Sequence, residues 1–459
     1  MNWTAERLAL ATAGQWLAAV APTLWLGQIV TDTRKIQVGD VFLALKGERF
    51  DAHDFIAQAV AAGAAAVIVS RPIADVAVAQ LLVDDTRLAL GRLGQAQREL
   101  FPALKVVALT GSSGKTTVKQ MLGSILAISA PTLMTRGNLN NDLGVPMMLL
   151  ELTAKHQYAV MELGANHIGE IAYTTALVQP KVAGILNIGT AHMGEFGGRD
   201  GIARAKSEIF LGLPQHGIAV LPMQDDFVQT LTDAATHATS TLIRFGDGGE
   251  VCAVDVVSNP EHSEFELVTP AGQVPVHLPF AGAHNVDNAL AAAAFATALQ
   301  IPLAQIAQGL SQATNVKGRL AFTRRDHLTV IDDTYNANPH SVRAAAQVLC
   351  AQAGQRILVL GDIGELGAEA HSEHHSLGAD LAQLPIQVLL AVGEYAATTI
   401  AAAQAQNPTL QAVAYTDKAA LLADLQQLLA AQPAAVCVLV KGSRSATMET
   451  LCEALLETR

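Results

Sequence analysis

Rings and thiols are scarce in this sequence. Aromatic residues make up 4% of 459 positions, so packing falls to aliphatic side chains, alanine above all, within a 51% hydrophobic composition. Such a composition suits α/β layers in close helix–sheet contact, and the length suits about three domains at roughly 150 residues each. The four cysteines, Cys252, Cys350, Cys437 and Cys452, show no CxxC spacing. They are expected to be reduced, buried thiols of a cytoplasmic protein. Positive charge is in deficit: 29 Lys and Arg face 41 Asp and Glu, a formal net charge of -12. General nucleic-acid binding needs a broad basic face and is not expected. Long apolar runs are missing too. Residues 8–26 are fairly apolar, but Glu6 precedes them and Thr12, Gln15 and Thr23 interrupt them. A helix and a following strand fit better than a signal peptide, and no run has the length to insert in a membrane. No solenoid-type period is visible.

What is present divides into three blocks. The first, residues 1–84, carries apolar runs at 41–45 and 65–69 with a helical pattern near 54–62 between them. The second, residues 85–316, opens with a helix near 87–99. It continues with buried strands at 158–162, 182–187 and 217–221, separated by helices, as in a parallel sheet. Residues 246–279 are more polar and alternate like antiparallel strands, and an alanine-rich helix covers 285–299. The third, residues 317–459, repeats the strand–helix alternation, with strands at 329–332, 357–360, 388–392 and 436–440.

The richest segment is Thr110-Gly111-Ser112-Ser113-Gly114-Lys115-Thr116-Thr117, which follows an apolar strand and precedes a helix. Strand, glycine turn, Lys-Thr and helix is the layout of a nucleotide phosphate cradle. Backbone N–H groups and the helix N-terminus meet the phosphates, Lys115 adds charge, and the Thr116 hydroxyl suits Mg2+. The loop has two residues between its glycines where the common form has four, and Leu109 stands at the first glycine position. The plain alternative is a Gly-Ser turn.

Other polar residues collect at strand ends, where functional groups gather in parallel α/β sheets. Glu162 ends one strand and suits Mg2+ coordination, or else caps a helix. His192, in the loop after another strand, is either a metal ligand or a surface histidine. Lys206, read from composition, is a solvated helix lysine. The loop holding Asn138, Asn140 and Asn141 can hydrogen-bond sugar hydroxyls or carboxylates, or is a turn-rich connection. Asn285 and Asn288 match an adenine edge, or Asn285 caps its helix. Arg319, upstream of the segment 332–339, can meet a transferring phosphoryl group as arginine fingers do. The segment 441–445 can receive an anion.

Taken together these segments resemble the Mur ligases over nearly the whole chain. Asp32-Thr33-Arg34, Ala44-Leu45-Lys46-Gly47 and Asp51-Ala52-His53-Asp54-Phe55 look like that family's uridine-nucleotide module. The phosphate loop, Gly137-Asn138-Leu139-Asn140-Asn141, Glu162-Leu163-Gly164-Ala165-Asn166 and Gly282-Ala283-His284-Asn285 follow in order. Asp333-Thr334-Tyr335-Asn336-Ala337-Asn338-Pro339 and Lys441-Gly442-Ser443-Arg444-Ser445 complete it.

The resemblance implies an α/β protein of three domains: a small α/β N-terminal domain (1–84) for the UDP-sugar, a central P-loop-type parallel sheet (85–316) for ATP, and a Rossmann-like C-terminal domain (317–459) closing over ATP and the amine. It implies an ATP-dependent amide ligase that joins D-Ala-D-Ala to UDP-MurNAc-tripeptide through an acyl phosphate, acting in the cytoplasm as a monomer. Lys115, Lys206, His192 and Arg319 are then catalytic. ATP is held by Gly111, Ser112, Ser113, Gly114, Lys115, Thr116, Thr117, Asn285, Asn288, Arg319, Asp333 and Asn336. Two Mg2+ ions are held by Thr116, Glu162, His192 and a carbamylated Lys206. Thr33, Arg34, Lys46, Gly47, Asn138, Asn140, Asn141, Asn166, Tyr335, Asn338, Ser443 and Arg444 bind the other substrates. Another amide ligase of the superfamily, a P-loop kinase or NTPase, and a non-enzymatic sugar-nucleotide binder are the competing readings.

Overall fold

The computed structural model describes residues 3–47, 50–190, 193–431 and 434–457. The chain packs as two compact units. The first comprises residues 1–108, 130–164 and 170–181; the second comprises 109–129, 165–169 and 182–459.

In the first unit the runs Ala66–Val69 and Val41–Leu43 are buried along their whole length and pair in parallel. Apolar side chains on both faces need a layer on each side, and both layers are present. One holds Trp3, Leu8, Leu90 and Leu93; the other holds Phe42, Ile56 and Ala59. Shorter strands extend the sheet to five, in the order Gln15–Trp16, Ala79–Leu82, Ala66–Val69, Val41–Leu43, Ile29–Val30. The helix Thr86–Arg98 starts where Asp85 accepts the N–H groups of Arg87 and Leu88, and its Leu90 and Leu93 join the core of Leu8. Within this unit Arg98 is buried, and its guanidinium donates to the carbonyls of Val178, Phe101 and Gln179. The strands Thr132–Met134 and Tyr158–Glu162 pair in parallel here as well.

The strand Lys105–Thr110 begins in the first unit and ends in the second. In the second unit Val182–Ile185, Ile218–Pro222 and Thr241–Phe245 lie side by side in parallel. The helix Ala283–Ala298 buries almost every alanine, which permits close approach: a Cβ on Gly184 would stand 2.7 Å from the Phe295 ring. The expected antiparallel section is a three-stranded meander of Cys252–Ser258, Ser263–Thr269 and Gly272–Leu278. A six-stranded sheet runs Ala321–Arg325, Leu328–Asp333, Val436–Lys441, Gln355–Gly361, Val388–Val392, Gln411–Tyr415, parallel except for its first hairpin. Its two faces are covered by separate apolar layers, one around Leu349, Leu358 and Leu377 and one around Val438, Leu421 and Met448.

The thiols depart from expectation. Cys437 and Cys452 are buried, but Cys252 and Cys350 are only half-buried, because they sit near the ends of their elements. Burial raises the Cys437 thiol to about 12, which makes it an inert apolar group. Among the described residues, no helix is long and apolar enough to cross a membrane.

Candidate active site

The phosphate loop caps the helix Lys115–Ala127 through Gly114, whose φ of 78° lies in the left-handed region. Glycine is needed here twice over, since a Cβ would also stand 2.3 Å from Asn288 Oδ1. Asn187 braces the loop from the next strand. Its carbonyl accepts the Ser112 N–H at 3.1 Å, its Oδ1 accepts the Ser113 N–H at 2.9 Å, and its Nδ2 donates to the Ser113 carbonyl at 3.2 Å. Lys115 Nζ donates to the Gly111 carbonyl at 2.7 Å, which folds the ammonium back over the loop.

Above this loop the second unit opens a cleft of about 660 Å³. Ser112, Ser113, Gly114, Thr117, Asn285, Asn288, Arg319, Asp333 and Asn338 all line it. Residues more than 220 positions apart in the chain therefore share one wall system. Asn285 does not cap its helix. The helix begins after Gly282, and Asn285 sits in its first turn, with Nδ2 donating to the Ala281 carbonyl and Oδ1 accepting from Asn288 Nδ2. Arg319 lies with its guanidinium 4.3 Å from the Tyr335 ring centroid, and its buried Nε has no protein acceptor. Arg199 Nε and Thr190 Oγ1, on the same cleft, are likewise buried without a partner. Unmet buried donors are costly unless an acceptor arrives, and a polyphosphate is such an acceptor.

Asp333 and Lys441 are both buried and form an ion pair at 2.5 Å, and Lys441 Nζ also donates to the Asn336 carbonyl. Burial pushes the Lys441 ammonium below its ordinary value, and Asp333 opposes that push. Lys441, the first residue of the segment expected to receive an anion, thus meets Asp333 in the wall of the cleft. Arg444 is exposed and pairs with Glu449, while Ser443 is buried and donates to the Asp362 carbonyl. Asn338 forms a capping box with Ser341 at the start of the helix Pro339–Cys350.

Lys206 is not the solvated lysine of composition. It is 3% exposed, and burial, with repulsion from Lys115, holds its amine well below the usual lysine range. Glu365 also lies within electrostatic reach of Lys115. It adopts φ 64°, a strained conformation for a non-glycine residue, and burial raises its carboxyl. Sequence reasoning missed Glu365, Asn187 and Arg199 as site residues. For Asn187 the signal was present, because it stands just past the carboxyl end of the parallel strand Val182–Ile185. His192 lies outside the described residues. Asn166 is exposed in the second unit.

The first unit carries the remaining candidates. Glu162 ends its strand, 3% exposed, and accepts from Asn140 Nδ2 at 2.9 Å while its N–H donates to Thr135 Oγ1. Asn141 Oδ1 accepts the Gly144 N–H at the start of the helix Gly144–Leu150. Asn138 is exposed. Thr33 and Arg34 form a short 3-10 turn in which exposed Arg34 pairs with Asp32, holding that carboxyl down to about 2. Lys46 and Gly47 are exposed beside the bridge to Asp51. Asp51 in turn meets buried His53, whose Nε2 accepts the Ser70 N–H.

Three family models match in chain order: the Mur ligase family catalytic domain over residues 27–98, the Mur ligase middle domain over 109–296, and the Mur ligase glutamate ligase domain over 318–444. The UDP-N-acetylmuramoyl-tripeptide--D-alanyl-D-alanine ligase of Escherichia coli (strain K12) is 45% identical over 437 residues, covering 94% of each chain. The crystal structure of MurF from Acinetobacter baumannii superposes with a TM-score of 0.96 at 55% identity, covering 100% of this chain and 99% of that one. MurF ligase from Thermotoga maritima, crystallised in complex with ADP, superposes with a TM-score of 0.81 at 27% identity, covering 93% and 96%.

Proposed function

Since this chain belongs to the Mur ligase family, we propose that it joins D-alanyl-D-alanine to UDP-N-acetylmuramoyl-tripeptide at the expense of ATP, completing the pentapeptide precursor of peptidoglycan. One observation carries the reading. The phosphate loop, Asn285, Asn288, Arg319 and Asp333 line a single cleft, in a chain that matches ligases of this reaction along 94% of its length.

A carboxylate is a poor electrophile, so ATP supplies a phosphoryl group that turns the tripeptide's terminal carboxylate into an acyl phosphate. The amine of D-Ala-D-Ala then displaces phosphate through a tetrahedral intermediate. The protein's part is to bring anions together and hold them in register. The turn at residues 111–117 presents the N–H groups of a helix start, and Lys115 places a point charge beside them. Arg319 faces the same cleft with an unmet Nε–H, as a phosphoryl-binding group requires. Asn285 and Asn288 are the proposed adenine readers, and Asn336 and Asp333 hold the loop that carries Tyr335. Thr33, Arg34, Lys46 and Gly47 are proposed for the UDP end. Asn138, Asn140, Asn141, Asn166, Tyr335, Asn338, Ser443 and Arg444 are proposed for the peptide and amine.

Mg2+, when bound, would neutralise the meeting anions, with Thr116, Glu162, His192 and Lys206 as its proposed ligands. The donor chemistry fits on one condition. An ammonium cannot ligate a cation, but Lys206 is buried and its amine is held toward the neutral form, which is the form that reacts with CO2. Carbamylation makes it a carboxylate. The proposed working division is 1–84 for the sugar nucleotide, 85–316 for ATP and 317–459 for closure. A monomer in the cytoplasm is the proposed state, as the resemblance to the family implies. Phosphate release from ATP tests the function: it should require UDP-MurNAc-tripeptide and D-Ala-D-Ala together. Release that ignores D-Ala-D-Ala would make the chain an NTPase instead.

A further inference from the structure

The meander of the second unit carries a feature that ATP chemistry does not use. Glu264 stands directly opposite His277 in the register of Ser263–Thr269 with Gly272–Leu278. His262 lies two residues before Glu264 and so shares its face. Phe265, Leu267, Val276 and Leu278 point the other way and are buried. The three polar side chains are therefore gathered on the outer face, with side-chain exposures of 36% for His262 and 55% for both Glu264 and His277. None of them lines the cleft.

The turn that delivers His262 is fixed. The Asn259 N–H donates to the His262 carbonyl at 2.9 Å, Gln352 Nε2 donates to the Pro260 carbonyl at 2.6 Å, and Glu261 pairs with Arg324. One histidine thus sits on a braced turn and the other on a paired strand, which keeps both near Glu264 with little ordering still to be done.

The spacing is that of a coordination shell. Glu264 Oε1 is 3.3 Å from His277 Nδ1 and 3.6 Å from His262 Nε2. All three ligand atoms fall within 4.8 Å of one another, and among the described residues this is the one such group of His, Cys, Asp and Glu. A tetrahedral ion with bonds of about 2.0–2.1 Å has ligand–ligand edges of roughly 3.3–3.4 Å. Two imidazoles with one carboxylate is a donor set for borderline transition ions, whereas Mg2+ takes oxygen ligands.

We propose that His262, Glu264 and His277 form a surface site for a divalent transition ion of the Zn2+ class, with water completing the shell. Binding releases any imidazole proton and involves no redox change. An ion held there would link the turn at 259–262 to the strand Gly272–Leu278. Through Pro260 and Glu261 it would also brace the turn against the third block.

The test is calorimetric titration of the full-length protein with Zn2+ in millimolar Mg2+, so that the uptake read is that of a site Mg2+ does not fill. One equivalent should bind. His262→Ala and His277→Ala should each weaken binding by about 10-fold or more, no less than the loss seen when even outer-shell partners of a metal are removed. The two lie on different segments, so misfolding of one variant, read by circular dichroism, leaves the other informative. His216→Ala, on an exposed position elsewhere, should leave the titration unchanged. Co2+ should give the intense visible absorption of a four-coordinate ion in the wild type and lose it in both histidine variants. No Zn2+ uptake in Mg2+, or uptake unaltered in both variants, would overturn the site and leave the trio a solvent-screened cross-strand ion pair.

Discussion

Lys115 and Lys206 show how little a residue's identity says about its state. Both are lysines at helix positions, yet one is folded over a glycine loop and the other is buried beside it. Lys115→Ala should cost on the order of 10²-fold in turnover, the scale of losing one preorganised contact to developing charge. The fold should survive, because the loop borders an open cleft; steady-state phosphate release checks this, and near-normal turnover would remove the loop from the mechanism. Lys206→Arg should fail as well. It keeps a positive charge but cannot carry a carbamate, and its guanidinium would have to be buried. Wild-type rates for Lys206→Arg at ordinary Mg2+ would reduce Lys206 to a structural lysine. The phosphate loop was legible because its chemistry is contiguous in the sequence. Lys206 was not, since burial depends on what packs over a helix face and nine helical residues do not reveal that.

At the scale of elements, the apolar strands could be read directly, because a run such as Ala66–Val69 is buried on both faces and needs no partner to be recognised. The edge strands Thr241–Phe245, Ala321–Arg325 and Gln411–Tyr415 could not. They are partly exposed and polar, and they exist only because a neighbour offers backbone groups to pair with. The helix Pro339–Cys350 allows a test that separates structure from binding. Asn338 caps it and also lines the cleft. Asn338→Ala should cost about 1 kcal/mol of stability through the lost cap. Asn338→Ser should restore most of it, since a serine hydroxyl also caps. Thermal melting reads the cap. Activity that recovers together with stability in the serine variant would mean that Asn338 acts only as a cap.

For the molecule as a whole, acid should weaken a joint between distant segments. His284 begins the helix Ala283–Ala298 and lies within electrostatic reach of Asp333, Lys441 and His340. Burial, helped by Lys441 and His340, lowers its imidazole to about 4 from an ordinary 6.5, against the pull of Asp333. The folded chain thus refuses a proton that the unfolded chain accepts below pH 6.5. Stability is intact above that pH and falls as pH drops toward 4, by up to about 3 kcal/mol from this group. His284→Gln should flatten the fall of the melting temperature between pH 6.5 and 4.5. Parallel curves for variant and wild type would assign the acid sensitivity elsewhere. No sequence pattern announced this, because the groups facing His284 lie about 50 to 160 positions away.

The crowding around the phosphate loop bears on drug resistance. A Cβ on Gly114 would collide with Asn288, and one on Gly111 would stand 2.8 Å from Leu186 Cβ. Both glycines face neighbours that are themselves fixed, one on the buried side of a strand end and one bonded to Asn285. An inhibitor that draws its affinity from the backbone N–H groups of residues 114–117 would touch atoms that no side-chain change can remove. The substitutions that could reshape the backbone around it are the ones this packing forbids, so escape would have to come from the rim of the cleft, where Gln224 and Glu373 have room to vary.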